Sequence, residues 1–339
     1  MMASLFHDNI IAVAIAWIFS IIGTITNLIV IYIVKTQIHR LHGIFSVSSV
    51  SNVIRIRNSR RSKTFLIFIV NLAISDFLGS LYLMILASAD LFYRSMKWPV
   101  ANSTNEYYFN TTTGIPMIWL KQPMCYIARS LLTLSISQST ILTVLIASER
   151  FLLIVCPFSS IIHITSKKAI IYCLISWNFS IILAVICNVV AAITLSPSAI
   201  IVNYYQSLCY IDNLGYFPVR IFYFILMVLG LLAYTIIISM YAAIAYKFQY
   251  SQHRTRIRTF HYSIPKLPKK ALYLTYTIGM TNILAWFPAF IVGLTIFFNY
   301  QLFVQSTTFQ SIIVTIHLIH QVKSSINPII FLISLYKKH

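Results

Sequence analysis

Residues 146–158 read IASERFLLIVCPF, and this stretch decides what kind of fold the chain can adopt. Glu149 and Arg150 interrupt a long apolar run in a chain that is only 9% charged and 59% hydrophobic. Soluble domains carry about 25% charged residues. Charges at the end of an apolar run are typical of a membrane-spanning helix that meets water there. Together with a mean hydropathy of +0.82, this pattern excludes an ordinary soluble domain.

Apolar runs of membrane-spanning length recur along the whole chain. A helix needs about 20 apolar residues to cross the bilayer core, and helices satisfy their backbone groups internally. Seven stretches qualify, which predicts an all-α membrane protein built as one seven-helix bundle over residues 1–339. The predicted spans lie at about 10–34, 64–92, 123–155, 169–195, 216–246, 271–298 and 309–336. The first stretch is longer than the apolar core of a signal peptide, and no Lys or Arg precedes it, so we expect a retained anchor.

The basic residues indicate the orientation. With the N-terminus outside, 19 of the 25 Lys and Arg residues fall in the inner segments 35–63, 150–168, 247–270 and 337–339. This asymmetry follows the positive-inside rule and explains the net charge of +19 through topology and the lipid bilayer, without nucleic acid. We expect the long, Ser- and Arg-rich segment 35–63 to be partly disordered.

The outer segments carry features of the extracellular side. Asn102 and Asn110 begin glycosylation sequons in the predicted outer loop 94–122. Of the five cysteines, only Cys125 and Cys209 both lie on the oxidising side, which predicts one disulfide between them. The other three are expected to be free thiols.

Several motifs in the same order resemble those of the rhodopsin-like (class A) G-protein-coupled receptors. The match covers all seven predicted helices, and Arg150 follows Cys125 by 25 residues. The resembling motifs are Glu149-Arg150-Phe151, NLAISD (71–76), Trp177, AWFP (285–288) and NPIIF (327–331). The resemblance implies a multi-pass receptor of the plasma membrane that is not an enzyme and transmits an extracellular signal to a heterotrimeric G protein.

Within that family, three stretches resemble the leucine-rich-repeat receptors for relaxins and glycoprotein hormones. These are NLAISDFLGSLYLMILASAD (71–90), Trp119 ahead of Cys125, and TNILAWFPAF (281–290). The branch implies a peptide or hormone-like ligand. About nine residues precede the first predicted span, at the place where those receptors carry a repeat domain.

The resemblance also assigns an activation switch. In the resting state of the family the arginine pairs with its neighbouring acid, here Glu149 with Arg150, and it swings toward the G protein on activation. The other switch residues that the resemblance implies are Tyr241, Trp286, Pro288, Asn327 and Pro328. The alternative is that Glu149 and Arg150 are two interfacial charges that reach water.

A buried polar pocket is implied in the middle of the bundle. Family members bind sodium there, and the matching residues are Asp76, Ser139, Ser324 and Asn327. The remaining position, normally asparagine, holds Lys323. We hypothesise that the ammonium of Lys323 replaces the ion and neutralises Asp76, so that no metal or cofactor is needed. Alternatively Lys323 turns away into a wet cavity. Retinal is disfavoured because the matching opsin position holds Gln321.

The sequence leaves the ligand and the signalling activity open. Arg129 could contact an anionic group of the ligand, or its side chain could extend to the outer interface. Leu132 stands where amine receptors carry aspartate, which disfavours an amine ligand.

An alternative function is a receptor-like protein that does not signal. It is favoured by Lys323, by Phe331 in place of tyrosine and by the short C-terminal tail. A transporter would show repeat symmetry, which the sequence lacks.

Overall fold

The described part of the chain folds almost entirely into helices. The computed structural model describes residues 5–6, 9–45, 53–95, 117–156, 164–194, 207–209, 214–257, 269–301 and 306–336, and no strand occurs among them. Seven of the helices are long: α1 (Ile10–Phe45), α2 (Val53–Ser95), α3 (Pro123–Val155), α4 (Ser166–Thr194), α5 (Phe217–Ile257), α6 (Lys269–Phe298) and α7 (Thr307–Tyr336). A short helix, Met117–Lys121, precedes α3.

Helices α1 to α6 are each long and apolar enough to cross a membrane by length and composition alone. Helix α7 carries four buried polar side chains within a single two-turn stretch. These are His317, His320, Gln321 and Lys323. Polar groups at membrane depth are tolerated where they face the bundle interior, and α7 packs against α1, α2 and α6. The prediction of a seven-helix bundle is therefore confirmed.

The long helices form a bundle with α3 at its centre. Helix α1 packs against α2 and α7, α6 packs against α5 and α7, and α3 packs against α2, α4, α5 and α6. Along their described residues, α4 and α5 do not pack closely against each other. The central position of α3 lets one helix carry residues of the outer, middle and inner layers of the bundle.

The helices continue beyond the predicted membrane edges. Helix α1 runs to Phe45 and α2 begins at Val53, so the described residues of the segment 35–63 are helical. Residues 46–52 lie outside the described residues, so partial disorder of this segment stays a prediction. Helix α5 likewise extends to Ile257. Hydrophobicity marks where a helix leaves the bilayer, but good helix formers such as Lys, Arg and Gln continue it into water when no proline intervenes.

Candidate functional site

The outer end of the bundle is closed by a disulfide and the residues around it. Cys125 at the start of α3 is bonded to Cys209, with their Cα atoms 5.5 Å apart, which confirms the predicted pair. The indole nitrogen of Trp119 donates to the carbonyl of Ser207 at 2.8 Å, and the hydroxyl of Tyr82 donates to the carbonyl of Leu208 at 2.8 Å. The short segment 207–209 is thus held over the helix ends.

The N-terminal residues 5–6 complete this cover. The Asp90 carboxylate accepts hydrogen bonds from the backbone nitrogens of Leu5 at 2.7 Å and Phe6 at 3.4 Å, and pairs with Arg94 at 2.7 Å. The hydroxyl of Ser207 donates to the carbonyl of Leu5 at 2.7 Å. Sequence reasoning missed Asp90 as an anchor, although a scarce acid in an apolar segment is a signal that a partner is needed.

A cavity of about 310 Å³ lies beneath this cover. Helices α3 to α7 all contribute to its walls, which are mostly aliphatic and aromatic. Its volume falls in the range of small-molecule sites in proteins. The polar side chains that line it include Thr133, Ser137, Thr140, Arg220, Tyr223, Trp286, His317 and His320. Trp286 lies at its inner end, where its ring is 4.5 Å from that of His320 and 5.8 Å from that of Tyr234.

Arg129 is not among the residues that line this cavity. Its side chain is buried, and the guanidinium carbon lies 5.5 Å from the centre of the Tyr126 ring. A contact between Arg129 and a ligand therefore stays a prediction. The sequons at Asn102 and Asn110 fall outside the described residues, so glycosylation also stays a prediction.

The middle layer gathers the polar residues that the sequence singled out. The Asp76 side chain is 0% exposed, and its Oδ2 accepts a hydrogen bond from Asn327 Nδ2 at 2.9 Å, which joins α2 to α7. Asn327 Oδ1 accepts in turn from Thr281 on α6 at 3.1 Å. Ser324 is buried beside this group, and its backbone carbonyl accepts from Asn27 on α1 at 2.8 Å. Four helices therefore meet in one hydrogen-bonded network.

Lys323 is only 1% exposed, yet its ammonium does not lie against Asp76. It donates to Ser139 Oγ on α3 at 3.4 Å and lies 6.0 Å from the centre of the Trp286 ring. No ion pair joins Lys323 to Asp76 within the described part of the chain. In its protonated form the Lys323 nitrogen would repel a sodium ion bound at Asp76.

The inner layer holds the charge pair of the sequence stretch 146–158. Arg150 Nε lies 3.3 Å from Glu149 Oε2, and the two side chains are 12% and 3% exposed. The Arg150 guanidinium carbon also lies 4.0 Å from the centre of the Phe65 ring on α2. The arginine is therefore held inside the bundle by an acid and an aromatic face, and it does not extend freely into water.

Tyr241 stands next to this pair on α5. Its ring lies so close to Gly279 of α6 that an added Cβ on the glycine would be 2.6 Å from the ring. Pro288 lies within α6 and Pro328 within α7, as their motifs predict. The tyrosine thus packs against the part of α6 on the inner side of Pro288.

The comparison with protein families decides the identity of the fold. Residues 49–331 match the family described as 7 transmembrane receptor (rhodopsin family). The chain belongs to that family. The receptor is accordingly a multi-pass protein of the membrane, typically the plasma membrane, and its family consists of signalling receptors. A comparison with curated proteins found no match, and no finding supports the relaxin and glycoprotein-hormone branch over others.

Proposed function

We propose that the receptor couples ligand binding in its outer half to nucleotide exchange on a heterotrimeric G protein. The observation that carries the proposal is the inner contact of Arg150 with Glu149 at 3.3 Å and with the Phe65 ring at 4.0 Å. A guanidinium held in this way has two alternative environments. One is its contact with Glu149 and Phe65, which we call the latch, and the other is a bound G protein. A few kcal/mol of differential ligand affinity is enough to shift such a balance.

The charge distribution makes Glu149 the principal counter-charge of this latch. In the sequence, no Asp or Glu falls in the inner segments 35–63, 150–168 and 247–270. An acid on the inner end of α6 therefore cannot substitute for Glu149. Removal of the Glu149 charge is therefore expected to free Arg150 for contact with the G protein.

Trp286 provides the mechanical link between the cavity and the inner layer. It lines the cavity, lies near Lys323 and Tyr234, and shares α6 with Gly279, against which Tyr241 packs. A ligand that displaces the indole would also displace α6 around Pro288, where a backbone hydrogen bond is missing. This route would convert occupancy of the cavity into movement at the inner end.

We further propose that Lys323 replaces the sodium ion of related receptors. Its amine is buried in the same layer as Asp76 and donates to Ser139 Oγ at 3.4 Å, so in its protonated form it places a tethered positive charge near that carboxylate. The receptor would then lack regulation by sodium. A peptide or hormone-like ligand stays the prediction of the branch resemblance.

The test is nucleotide exchange in membranes from cells that express the receptor together with a panel of G proteins. Glu149→Gln should raise exchange above the unmodified receptor, and adding Arg150→Ala should return it to the level of membranes without receptor. Lys168→Ala removes an exposed inner cation outside the latch and serves as the matched control. Equal exchange in all variants and in receptor-free membranes, at equal surface expression, would establish the non-signalling alternative instead.

A further inference from the structure

The cavity has the chemistry of a site for an anionic amphiphile. No acidic side chain lines it among the described residues, so a cationic ligand would find no counter-charge. Arg220, near the outer end of α5, is the one charged side chain in the described lining. A guanidinium recognises a carboxylate through two parallel hydrogen bonds.

Arg220 is positioned and available for such a contact. Its guanidinium carbon lies 4.9 Å from the centre of the Tyr300 ring and 5.5 Å from that of Phe217, so two aromatic faces hold it in place. Its Nε is buried and makes no hydrogen bond to any residue that the structure describes. A buried donor without a partner is costly, and a ligand anion would satisfy it.

The inner end of the cavity offers a second polar point. His320 Nδ1 lies 3.1 Å from the side-chain nitrogen of Gln321, while its buried Nε2 has no hydrogen-bond partner in the described structure. The same holds for the indole nitrogen of Trp286. Both residues line the cavity, so a ligand hydroxyl could bond to either nitrogen. The 14 residues from Arg220 to Tyr234, near Trp286, place the two polar ends roughly 20 Å apart along α5.

Two wall residues of the cavity are also exposed on the outside of the bundle. Phe179 of α4 and Leu229 of α5 both line the cavity and are also 53% exposed on the outside of the bundle. The outer side is covered by Leu208 and Leu214, which are 1% and 2% exposed. Helices α4 and α5 do not pack closely along their described residues, which favours entry of a ligand between them.

We propose that this cavity binds an elongated carboxylic acid with a hydroxyl at its far end, such as an ω-hydroxylated fatty acid, which enters from the bilayer between α4 and α5. Arg220 holds the carboxylate, the hydroxyl bonds at His320 and Trp286, and the apolar walls enclose the chain. The binding site stands on its own geometry, whereas activation by this ligand rests on the proposed receptor function.

Gly230 makes the proposal testable without disturbing the fold. It lines the cavity, and an added Cβ there meets nothing within 4 Å. Gly230→Phe should therefore fill the cavity without a backbone clash. Unchanged unfolding temperature of this variant, measured in nanodiscs, would verify that it is folded.

The probe is 16-hydroxyhexadecanoate, compared with hexadecanoate and with 1,16-hexadecanediol, on the purified full chain in nanodiscs. We expect saturable binding, weakened about 10- to 100-fold by Arg220→Gln for both acids but not for the diol. Lys121→Gln, which removes an exposed outer cation, should leave all three affinities unchanged. Gly230→Phe should abolish binding, and a photoreactive analogue should label cavity residues of α4 and α5.

Several outcomes would overturn the proposal. These are no saturable binding, equal binding to the Gly230→Phe variant, or labelling confined to the outer surface of the helices as by bulk lipid. Affinities of the Arg220→Gln variant for the two acids equal to those of the unmodified receptor would also overturn it. These measurements need no G protein, so they can fail while the exchange assay succeeds. Binding without any change in exchange would instead count against the proposed signalling function.

Discussion

The ammonium of Lys323 lies 3.4 Å from Ser139 Oγ, and this contact joins α7 to α3 at the centre of the bundle. Asp76 reaches α7 by a different route, through Asn327 at 2.9 Å. The two buried side chains are therefore held by different partners, Lys323 by Ser139 on α3 and Asp76 by Asn327 on α7. Such an arrangement places a covalently tethered lysine nitrogen in the middle layer, which cannot exchange with ions outside.

The first prediction concerns sodium. The unfolding temperature of the purified receptor should be the same in sodium chloride and in choline chloride of equal ionic strength. Lys323→Asn removes the fixed cation and adds an oxygen ligand, so sodium should then stabilise the variant specifically by ~1–3 kcal/mol at saturating concentration. Asp76→Asn in the same variant should remove the effect. Sodium-specific stabilisation of the unmodified receptor would contradict the role given to Lys323.

The second prediction concerns the aromatic face over Arg150. Phe65→Ala should raise ligand-independent nucleotide exchange, because it removes a cation–π contact of about 0.5–2 kcal/mol from the resting position of the arginine. Phe65→Tyr keeps the ring and should leave exchange close to that of the unmodified receptor. The measurement is nucleotide exchange at matched surface expression, and an unchanged rate in Phe65→Ala would show that the ring does not hold the arginine.

The third prediction concerns the close approach of α5 and α6. Gly279→Ala should destabilise the receptor by about 1–3 kcal/mol, because the new methyl group overlaps the Tyr241 ring. Tyr241→Ala should relieve the overlap, so the double variant is expected to be less destabilised than the sum of the two single changes. Thermal unfolding in detergent of all four proteins gives this comparison, and strictly additive effects would rule out the contact.

The fourth prediction concerns the disulfide. Replacement of both Cys125 and Cys209 by serine should cost ~2–5 kcal/mol, since the bridge closes a loop with a sequence separation of 84 residues. Replacement by serine of Cys187, a buried cysteine outside the disulfide, is the matched control for general sensitivity to cysteine loss. Unfolding temperatures measured with and without reducing agent should differ for the unmodified receptor and coincide for the double variant.

The sequence by itself determined the features that depend only on the order of apolar, charged and cysteine residues along the chain. Apolar length placed the spans, the asymmetry of Lys and Arg predicted the orientation, and the predicted topology left Cys125 and Cys209 as the pair on the oxidising side. The adjacency of Glu149 and Arg150 at a helix end likewise predicted a charge pair, and the structure brings the two side chains to 3.3 Å. These inferences need no knowledge of how the helices face one another.

Only the tertiary structure decided what depends on helix rotation and depth. It placed Lys323 against Ser139 on α3 and away from Asp76, put Arg220 and His320 in one cavity, and tied Leu5 to Asp90. The physical reason is that in a membrane both the lipid-facing and the bundle-facing sides of a helix are apolar. Hydrophobic periodicity therefore reports weakly on rotation, and side-chain packing between helices sets it instead.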